Sequence, residues 1–296
     1  TTGCNFRCTM CQVSAPDFKS SNMDFETFEQ VVNQNKQLLK IKLQGMGEPT
    51  VHKKFLKMIK QANDLGIVVD FTTNASLLNE MTIEKLVKMK LSRIIISIDG
   101  ATKETFEKIR VRSNFDTVLN NSTKLISLMK KKFLRPVISA WCVVQKDNSE
   151  EIEEINSLCN NIGFDELSYQ LYLSDWGKSE WKKINDKNKI DNFDNKIIDR
   201  LNKIQNSSNI NINIFKENLL NFKKQCKWPW NSSYIDNNGD VSPCCILGDS
   251  KVKSFGNINN DNFSNIWNSE NYQQFRNDIK NNKIPSFCKS CYSEFK

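Results

Sequence analysis

The chain has 296 residues, of which 39% are hydrophobic and 26% are charged, and its formal net charge is +8. This length allows one large domain with a small appendage, and the composition is typical of a globular protein. No segment approaches 18 consecutive apolar residues, so we expect no membrane span. The positive charges are scattered among acidic residues, which indicates a solvated basic surface rather than a nucleic-acid-binding one.

From about residue 23 to residue 173, helical and strand patterns alternate. The predicted helices are Phe25–Leu39, His52–Leu65, Met81–Met89, Lys103–Ile109, Phe115–Lys131 and Ser149–Ile162. The predicted strands are Ile41–Leu43, Ile67–Thr72, Arg93–Ile98, Pro136–Val144 and Glu166–Leu173. Such alternation implies parallel strands joined by crossover helices, in a partial barrel or a doubly wound sheet. In either fold, the site forms at the carboxyl ends of the strands.

The C-terminal part has a different character. Residues 174–209 are polar and predict a helical connector. Ser232–Ile235 and Val241–Cys244 flank an Asn-Gly turn and predict a β-hairpin, and residues 262–279 predict a helix. We therefore expect a small separate domain here.

Ten cysteines are unevenly spaced along the chain. Three lie within residues 4–11 and five within residues 226–291, whereas Cys142 and Cys159 stand alone. A disulfide framework fits poorly with a long, core-forming chain that shows no secretory signal. Tight clusters with two or three intervening residues are typical of metal ligands, so we expect two metal sites and a cytoplasmic location.

The first cluster, Cys4-Asn-Phe-Arg-Cys8-Thr-Met-Cys11, offers three thiolates on one loop. Soft thiolates favour iron–sulfur clusters or zinc. A structural zinc site requires a fourth ligand, but no other cysteine lies nearby and the single histidine of the chain is His52. Three ligands are consistent with a cluster whose fourth iron binds another molecule.

This segment resembles the CxxxCxΦC signature of the radical S-adenosylmethionine (SAM) superfamily, with Met10 at the Φ position. The resemblance implies a partial (β/α)6 TIM-type barrel over residues 1–205, with its first strand before Thr1. It implies a [4Fe–4S] cluster whose open iron chelates SAM, and reductive cleavage of SAM to a 5′-deoxyadenosyl radical that abstracts a substrate hydrogen. It also implies an electron donor of the flavodoxin or ferredoxin type.

Further segments agree with this family in chain order. Gly45-Met46-Gly47-Glu48-Pro49 resembles the segment that contacts the SAM amino group, and Thr73-Asn74 resembles an element after the third strand. Ser97 and Asp99 lie where members bind the ribose, and Arg110 where an arginine meets the SAM carboxylate. The residues implied to bind the cofactor are Met10, Gly47, Glu48, Pro49, Asn74, Ser97, Asp99 and Arg110.

The second cluster resembles a shortened SPASM domain, the "twitch" form, over residues 206–296. Twelve residues separate Cys226 from Gly239, four separate Gly239 from Cys244, and Cys288 and Cys291 follow as a C-x2-C pair. The resemblance implies a β-hairpin plus helix domain with a second, auxiliary [4Fe–4S] cluster on these four cysteines. A Cys4 zinc site is the alternative.

Cys245 is adjacent to Cys244 and cannot easily ligate the same cluster. One interpretation is a small buried hydrophobe or a substitute ligand. The other is a catalytic hydrogen-atom donor to a substrate radical, as adjacent cysteines serve in some peptide epimerases.

The resemblance favours modification of a ribosomal peptide or protein. The alternative is a radical SAM dehydrogenase or other enzyme acting on a sugar or cyclitol. A non-enzymatic, zinc-stapled binding module is a further alternative, and it requires zinc at both cysteine clusters.

Overall fold

The computed structural model describes residues 1–35, 37–174, 179–190, 195–216 and 226–292. Its strands are β1 (Arg7–Cys8), β2 (Lys40–Leu43), β3 (Val68–Thr73), β4 (Leu91–Ser97), β5 (Arg110–Val111), β6 (Val137–Val143), β7 (Glu166–Gln170), β8 (Asn211–Phe215), β9 (Tyr234–Ile235) and β10 (Val241–Ser242). Its helices are α1 (Phe25–Gln34), α2 (Phe55–Asp64), α3 (Glu80–Val87), α4 (Lys103–Ile109), α5 (Phe115–Met129), α6 (Ile152–Ile162), α7 (Ser179–Asn188), α8 (Asn195–Ser207), α9 (Trp228–Asn231), α10 (Phe263–Asn268) and α11 (Glu270–Lys280).

Six strands form the central sheet in the order β2-β3-β4-β6-β7-β8. All neighbouring pairs are parallel, and helices lie in every connection between them. The spatial order follows the chain order without a reversal, as in a barrel rather than a doubly wound sheet. The predicted α/β class with a partial barrel is therefore confirmed. In the described ranges, no helix has the length and apolar character needed to cross a bilayer.

The two faces of this sheet differ in polarity, because side chains alternate along each strand. One face is buried against the helices and contains Val69, Phe71, Ile94, Ile96, Ile138, Ala140, Leu167 and Ile212. The other face is mostly polar and contains Lys40, Lys42, Asp70, Thr72, Arg93, Ser97, Ser139, Trp141, Glu166, Ser168, Gln170 and Asn213. We call this polar face the inner wall of the barrel.

Two predicted helices differ most from those of the structure. Helix α1 ends before the predicted Leu39, since Asn35 leaves helical geometry and its side chain bonds back to the helix. The predicted helix over residues 262–279 is two helices, α10 and α11. Between them Ser269 has extended backbone, and its hydroxyl accepts a hydrogen bond from the Tyr272 N–H, which caps the second helix.

Strand β8 has no counterpart among the predicted strands. It pairs with β7, with Ile212 opposite Leu167. The sheet thus extends past residue 205, where we placed the end of the barrel domain. The Asn-rich surroundings of this short strand concealed its alternation in the sequence. We propose that the domain boundary lies between Phe215 and Cys226.

The C-terminal domain packs against helix α1. Its small core contains the stacked rings of Phe255 and Tyr272, 4.1 Å apart, and Val31 of α1 joins the same cluster. The hydroxyl of Thr27 donates a hydrogen bond to the side chain of Asn259 at 2.9 Å. Strands β9 and β10 form the predicted hairpin, and Gly239 in its turn has φ of +88°.

Candidate cluster and cofactor site

The three N-terminal thiols lie on one loop at the mouth of the barrel. Strand β1 fixes this loop by pairing antiparallel with β5, which places Cys8 opposite Arg110. Cys4, Cys8 and Cys11 are all free of disulfides. Burial, as the largest cause, raises the pKa of Cys8 to about 12, although the Arg110 cation opposes it. Such thiols lose their protons when a metal binds.

A buried cation lies beside these thiols. Arg110 Nη1 is 3.9 Å from Cys8 Sγ, and Nη2 pairs with Asp99 Oδ2 at 2.7 Å. The other oxygen of Asp99 accepts a hydrogen bond from the Val143 N–H at 2.8 Å. Asp99 is completely buried and Arg110 is 7% exposed. The guanidinium can therefore offset the negative charge of thiolate ligands.

These contacts support a different division of roles from the one implied by the sequence. Asp99 pairs its charge with the Arg110 guanidinium through Oδ2, and its Oδ1 accepts the Val143 N–H, so this buried carboxylate is engaged in holding Arg110. We propose that Asp99 positions Arg110 and that Arg110 faces the cluster loop. Ser97, at the end of β4 on the inner wall, is partly exposed and remains our prediction for a ribose contact.

Glu48 is the other buried carboxylate of this region and is 3% exposed. Its Oε1 accepts hydrogen bonds from the Thr50 N–H at 3.1 Å and from the hydroxyls of Thr50 and Thr73 at 2.6 and 2.7 Å. Its Oε2 accepts one, from the Asn74 N–H at 2.6 Å. Burial raises the pKa of Glu48, and these hydrogen bonds oppose the shift. Oε2 retains acceptor capacity, which is what a ligand ammonium requires.

The Gly45–Pro49 segment packs directly on the start of the cysteine loop. The N–H of Gly47 donates to the Thr1 carbonyl at 3.2 Å, and the N–H of Glu48 donates to the Gly3 carbonyl at 2.8 Å. A Cβ on Gly47 would lie 2.0 Å from the Gly3 oxygen. Glycine is therefore required here by the close approach of two backbones.

Asn74 connects the end of β3 to the cysteine loop. Its Nδ2 donates to Asn5 Oδ1 at 3.0 Å, Asn5 Nδ2 donates to Ser76 Oγ at 2.8 Å, and Ser76 Oγ donates to Asn74 Oδ1 at 2.7 Å. Met10 is buried behind the loop, and Pro49 is buried at the start of a short 3-10 turn. The structure thus gathers Glu48, Asn74 and Arg110 around the three thiols, while their contacts with SAM remain predictions.

Four thiols of the C-terminal domain come from three chain segments. Cys226 precedes α9, Cys244 follows β10, and Cys288 and Cys291 lie in the 3-10 turn 286–291. All four are partly buried and free of disulfides. Burial, and then the charges of the other three thiolates, raises the pKa of Cys288.

The three N-terminal thiols suit an iron–sulfur cluster with one iron left open to another ligand. The four C-terminal thiols suit a cluster in which every iron has a protein ligand. Arg110 supplies a compensating charge to the first set. Within the described ranges, no three His, Cys, Asp or Glu side chains are arranged around a single metal ion. The assignment to clusters therefore rests on the number and chemistry of the thiols.

Cys245 differs from these four thiols in its surroundings, because it borders a cavity whose lining includes none of them. It begins a 3-10 turn after Cys244 and borders a cavity of about 910 Å³ between the barrel and the C-terminal domain. Lys42 on the inner wall borders the same cavity. The turn also contacts the cofactor segment, since a Cβ on Gly248 would lie 3.4 Å from the Met46 side chain.

The polar inner wall was missed by the sequence analysis, which placed the site only at strand ends. Its signal is present in alternations such as Ser139-Ala140-Trp141-Cys142. Trp141 stacks on Phe215 at 5.0 Å and donates to Gln170 at 3.2 Å, so this wall offers aromatic and polar surface together.

Comparison with known proteins agrees with this geometry. A family model for the Radical SAM superfamily matches residues 1–159, and one for the SPASM iron–sulfur cluster-binding domain matches residues 226–292. The tungsten-containing aldehyde ferredoxin oxidoreductase cofactor-modifying protein of Pyrococcus furiosus is 26% identical, covering 98% of this chain and 85% of that protein. A probable GTP 3′,8-cyclase of Saccharolobus islandicus is 30% identical, covering 66% of this chain and 62% of the cyclase.

Among solved structures, Streptococcus suis SuiB bound to the precursor peptide SuiA has a TM-score of 0.74 and 19% identity, covering 98% of this chain and 67% of SuiB. The structure of anSMEcpe with bound SAM has a TM-score of 0.67 and 18% identity, covering 98% and 85% of the two chains. At this identity the likeness shows a shared fold.

The matched domains establish the cofactors: a [4Fe–4S] cluster, SAM and an auxiliary iron–sulfur cluster. They contradict the alternative of a zinc-stapled, non-enzymatic module. The chain belongs to the radical SAM superfamily, and its C-terminal domain is a SPASM iron–sulfur cluster-binding domain.

Proposed function

We propose that this enzyme modifies a ribosomal peptide or protein by abstracting a hydrogen atom from one of its residues. When bound, the N-terminal cluster supplies the electron that cleaves SAM into methionine and a 5′-deoxyadenosyl radical. A flavodoxin- or ferredoxin-type protein is the proposed electron donor.

The observation that carries the substrate class is the cavity between the β2 edge of the barrel and the C-terminal domain. Its volume of about 910 Å³ is at the upper end of the range for small-molecule sites. Its walls combine polar groups of Lys42 and Gln44 with aromatic surface from Tyr234 and Trp228. A peptide presents a polar backbone and varied side chains, which suits such a mixed lining. The peptide-bound SuiB structure, which shares this fold, supports the same class.

Different residues of this chain then bind the cluster and orient SAM. Cys4, Cys8 and Cys11 hold the cluster, and Glu48 orients the SAM ammonium through Oε2. Asp99 keeps Arg110 beside the cluster thiolates. The turn at Cys245–Gly248 lies against Met46 and so supports the Gly45–Pro49 segment from the side of the C-terminal domain.

A second candidate is a small polyhydroxylated or heterocyclic substrate. The polar inner wall favours it. Two of the comparisons also favour this candidate. The cofactor-modifying protein from Pyrococcus matches nearly the whole chain. The fold is also shared with BtrN in complex with SAM and 2-DOIA, at a TM-score of 0.54.

Anaerobic turnover of the cluster-loaded enzyme separates these candidates. The enzyme would be supplied with SAM and dithionite, and with either a pool of synthetic peptides or a panel of sugars and aminocyclitols. We expect 5′-deoxyadenosine formation to rise with peptides, together with a mass change in the peptide. A mass change confined to the sugars or cyclitols would contradict the proposal. A Cys8→Ala variant is the control and should form no 5′-deoxyadenosine with either pool.

A further inference from the structure

The inner wall carries five charged side chains, and four of them form ion pairs. Lys40 Nζ lies 3.0 Å from Asp70 Oδ2. Arg93 pairs with Glu166. The fifth is Lys42. Across the residues that the structure describes, no carboxylate forms an ion pair with its ammonium.

Lys42 also lies on the strand that leads into the cofactor segment. It lies two residues before Gln44, whose side-chain oxygen accepts a hydrogen bond from the Thr72 hydroxyl at 3.1 Å. The Gly45–Pro49 segment with Glu48 follows immediately. A group bound at Lys42 would therefore be separated only by the Gln44 side chain from the segment that we expect to orient SAM.

The cavity places Lys42 across from the C-terminal domain. Cys245 and Tyr234 border the same cavity from that side. Burial lowers the pKa of the Lys42 ammonium, and the Asp70 carboxylate on the neighbouring strand, which forms its ion pair with Lys40 instead, opposes the shift. An ammonium that is partly desolvated and has no carboxylate partner is a binding site for an anion.

We propose that Lys42 binds a carboxylate of the substrate and thereby selects the residue whose carbon faces the SAM site. The inference rests on the proposed peptide substrate for the source of the anion, which would be an acidic side chain or a C-terminal carboxylate. A phosphate group would use the same chemistry, so the experiment includes it.

The first arm of the test measures turnover. Two synthetic peptide pools would be compared that differ only in a fixed central Glu or Gln. We expect wild type to modify the Glu pool about ten-fold faster. Lys42→Gln should reduce this preference to within about two-fold, and Lys42→Arg should restore most of it. The control Lys53→Gln removes an exposed lysine outside the cavity and should retain the full preference.

The second arm measures occupancy of the site without turnover. Reductive methylation of the SAM-loaded holoenzyme would be followed by mass spectrometry at Lys42, with Lys53 as the internal reference. We expect N-acetylglutamate α-amide to slow labelling of Lys42 at least two-fold, and N-acetylglutamine amide to leave it unchanged. Protection by inorganic phosphate alone would support an anion site but assign it to a phosphate-bearing substrate.

The two arms distinguish failure of the inference from failure of the proposed function. If neither peptide pool is modified, the peptide proposal is contradicted, and the protection of Lys42 still decides whether it binds anions. Equal modification of both pools, or labelling of Lys42 that no anion slows, would overturn the inference.

Discussion

At the scale of single residues, the two buried carboxylates of the site can be assigned separate duties. Glu48 accepts hydrogen bonds from neutral donors of three residues and forms no ion pair among the described residues. The charge of Asp99 is already paired with the Arg110 guanidinium, and its other oxygen accepts a backbone N–H. Both are carboxylates that follow strands of the central sheet, Glu48 after β2 and Asp99 after β4, with β3 between them. Their different partners, rather than their identity, determine which one can accept a new ligand.

Glu48→Gln tests the first assignment. The amide cannot carry the charge that an ammonium pairs with, so we expect SAM affinity to fall about ten-fold or more, with iron content unchanged. Affinity would be measured by equilibrium dialysis of the anaerobic protein. Thr73→Val is the matched control, because it removes one donor to Oε1 but leaves Oε2 and its charge in place. Equal losses of affinity in both variants would mean that Glu48 acts only as a structural acceptor.

Asp99→Asn tests the second assignment. It leaves Arg110 buried without its counter-charge, and we expect the free energy of unfolding to fall by roughly 3–5 kcal/mol. Urea titrations followed by tryptophan fluorescence would measure this change. The double variant Asp99→Asn/Arg110→Met removes the unpaired charge and should recover part of the loss. No difference between the single and double variants would show that the two groups are not energetically coupled.

At the scale of secondary-structure elements, His52 connects the start of α2 to the segment before α1. Its Nε2 lies 3.0 Å from the Met23 carbonyl, and its Nδ1 accepts a hydrogen bond from the Lys54 N–H at 3.1 Å. Burial is the main reason that the pKa of His52 lies below its ordinary 6.5. The folded state therefore binds fewer protons than the unfolded state. Neutral His52 stabilises the folded protein above pH 6.5, and this stabilisation is lost as the pH falls below that value.

Between pH 7.5 and pH 5.5 we expect the wild type to lose roughly 1 kcal/mol more stability than His52→Gln, since the variant has no imidazole to protonate. Anaerobic urea unfolding at both pH values would measure the difference. The chain contains one histidine, so titration of any other imidazole cannot obscure the result. Identical pH dependence in the two proteins would show that His52 titrates normally when folded.

The close approach of the Gly45–Pro49 segment to the cysteine loop gives a second prediction at this scale. In Gly47→Ala, the new Cβ would meet the Gly3 carbonyl oxygen at 2.0 Å, and this backbone oxygen can move only if the cysteine loop moves. We expect the variant to lose the iron of the N-terminal cluster, about half of the total. The control Gly248→Ala has its nearest neighbour at 3.3 Å and should keep all of its iron. Full iron content and SAM cleavage in Gly47→Ala would contradict this account.

The sequence predicted the central strands and helices because each carries a regular period, and it predicted the two cysteine sets because their spacing is short. It could not predict the inner wall, since only the register of neighbouring strands decides which face of Ser139–Trp141 points inward. The pairing of Asp99 with Arg110 could not be predicted from the sequence either. It depends on the two-residue strand β5, which is too short to show a period.

At the scale of the whole molecule, the C-terminal domain contacts both the scaffold and the cofactor segment. It shares a core with Val31 and a hydrogen bond with Thr27 of α1, and its Cys245–Gly248 turn lies against Met46. We therefore propose that the SPASM domain acts on activity in two separable ways: electronically through its cluster, and structurally through its contacts with the barrel mouth. A substitution that removes the cluster but retains the domain core would separate them.

The double variant Cys288→Ala/Cys291→Ala is suited to this purpose, because both residues lie in the terminal 3-10 turn, at the edge of the domain core. Cys288 packs against the core around Phe255 and Tyr272, and alanine keeps its Cβ there. We expect wild type to hold about eight irons and this variant about four. The variant should still cleave SAM, since Cys4, Cys8 and Cys11 are unchanged, but it should form little modified substrate. The matched triple variant of those three cysteines should also retain about four irons and should not cleave SAM at all.

If the double variant instead retains all of its iron, or wild type carries zinc in this domain, the four C-terminal thiols do not hold an iron–sulfur cluster. If it retains four irons but loses SAM cleavage, the auxiliary cluster acts mainly by holding the turn against Met46.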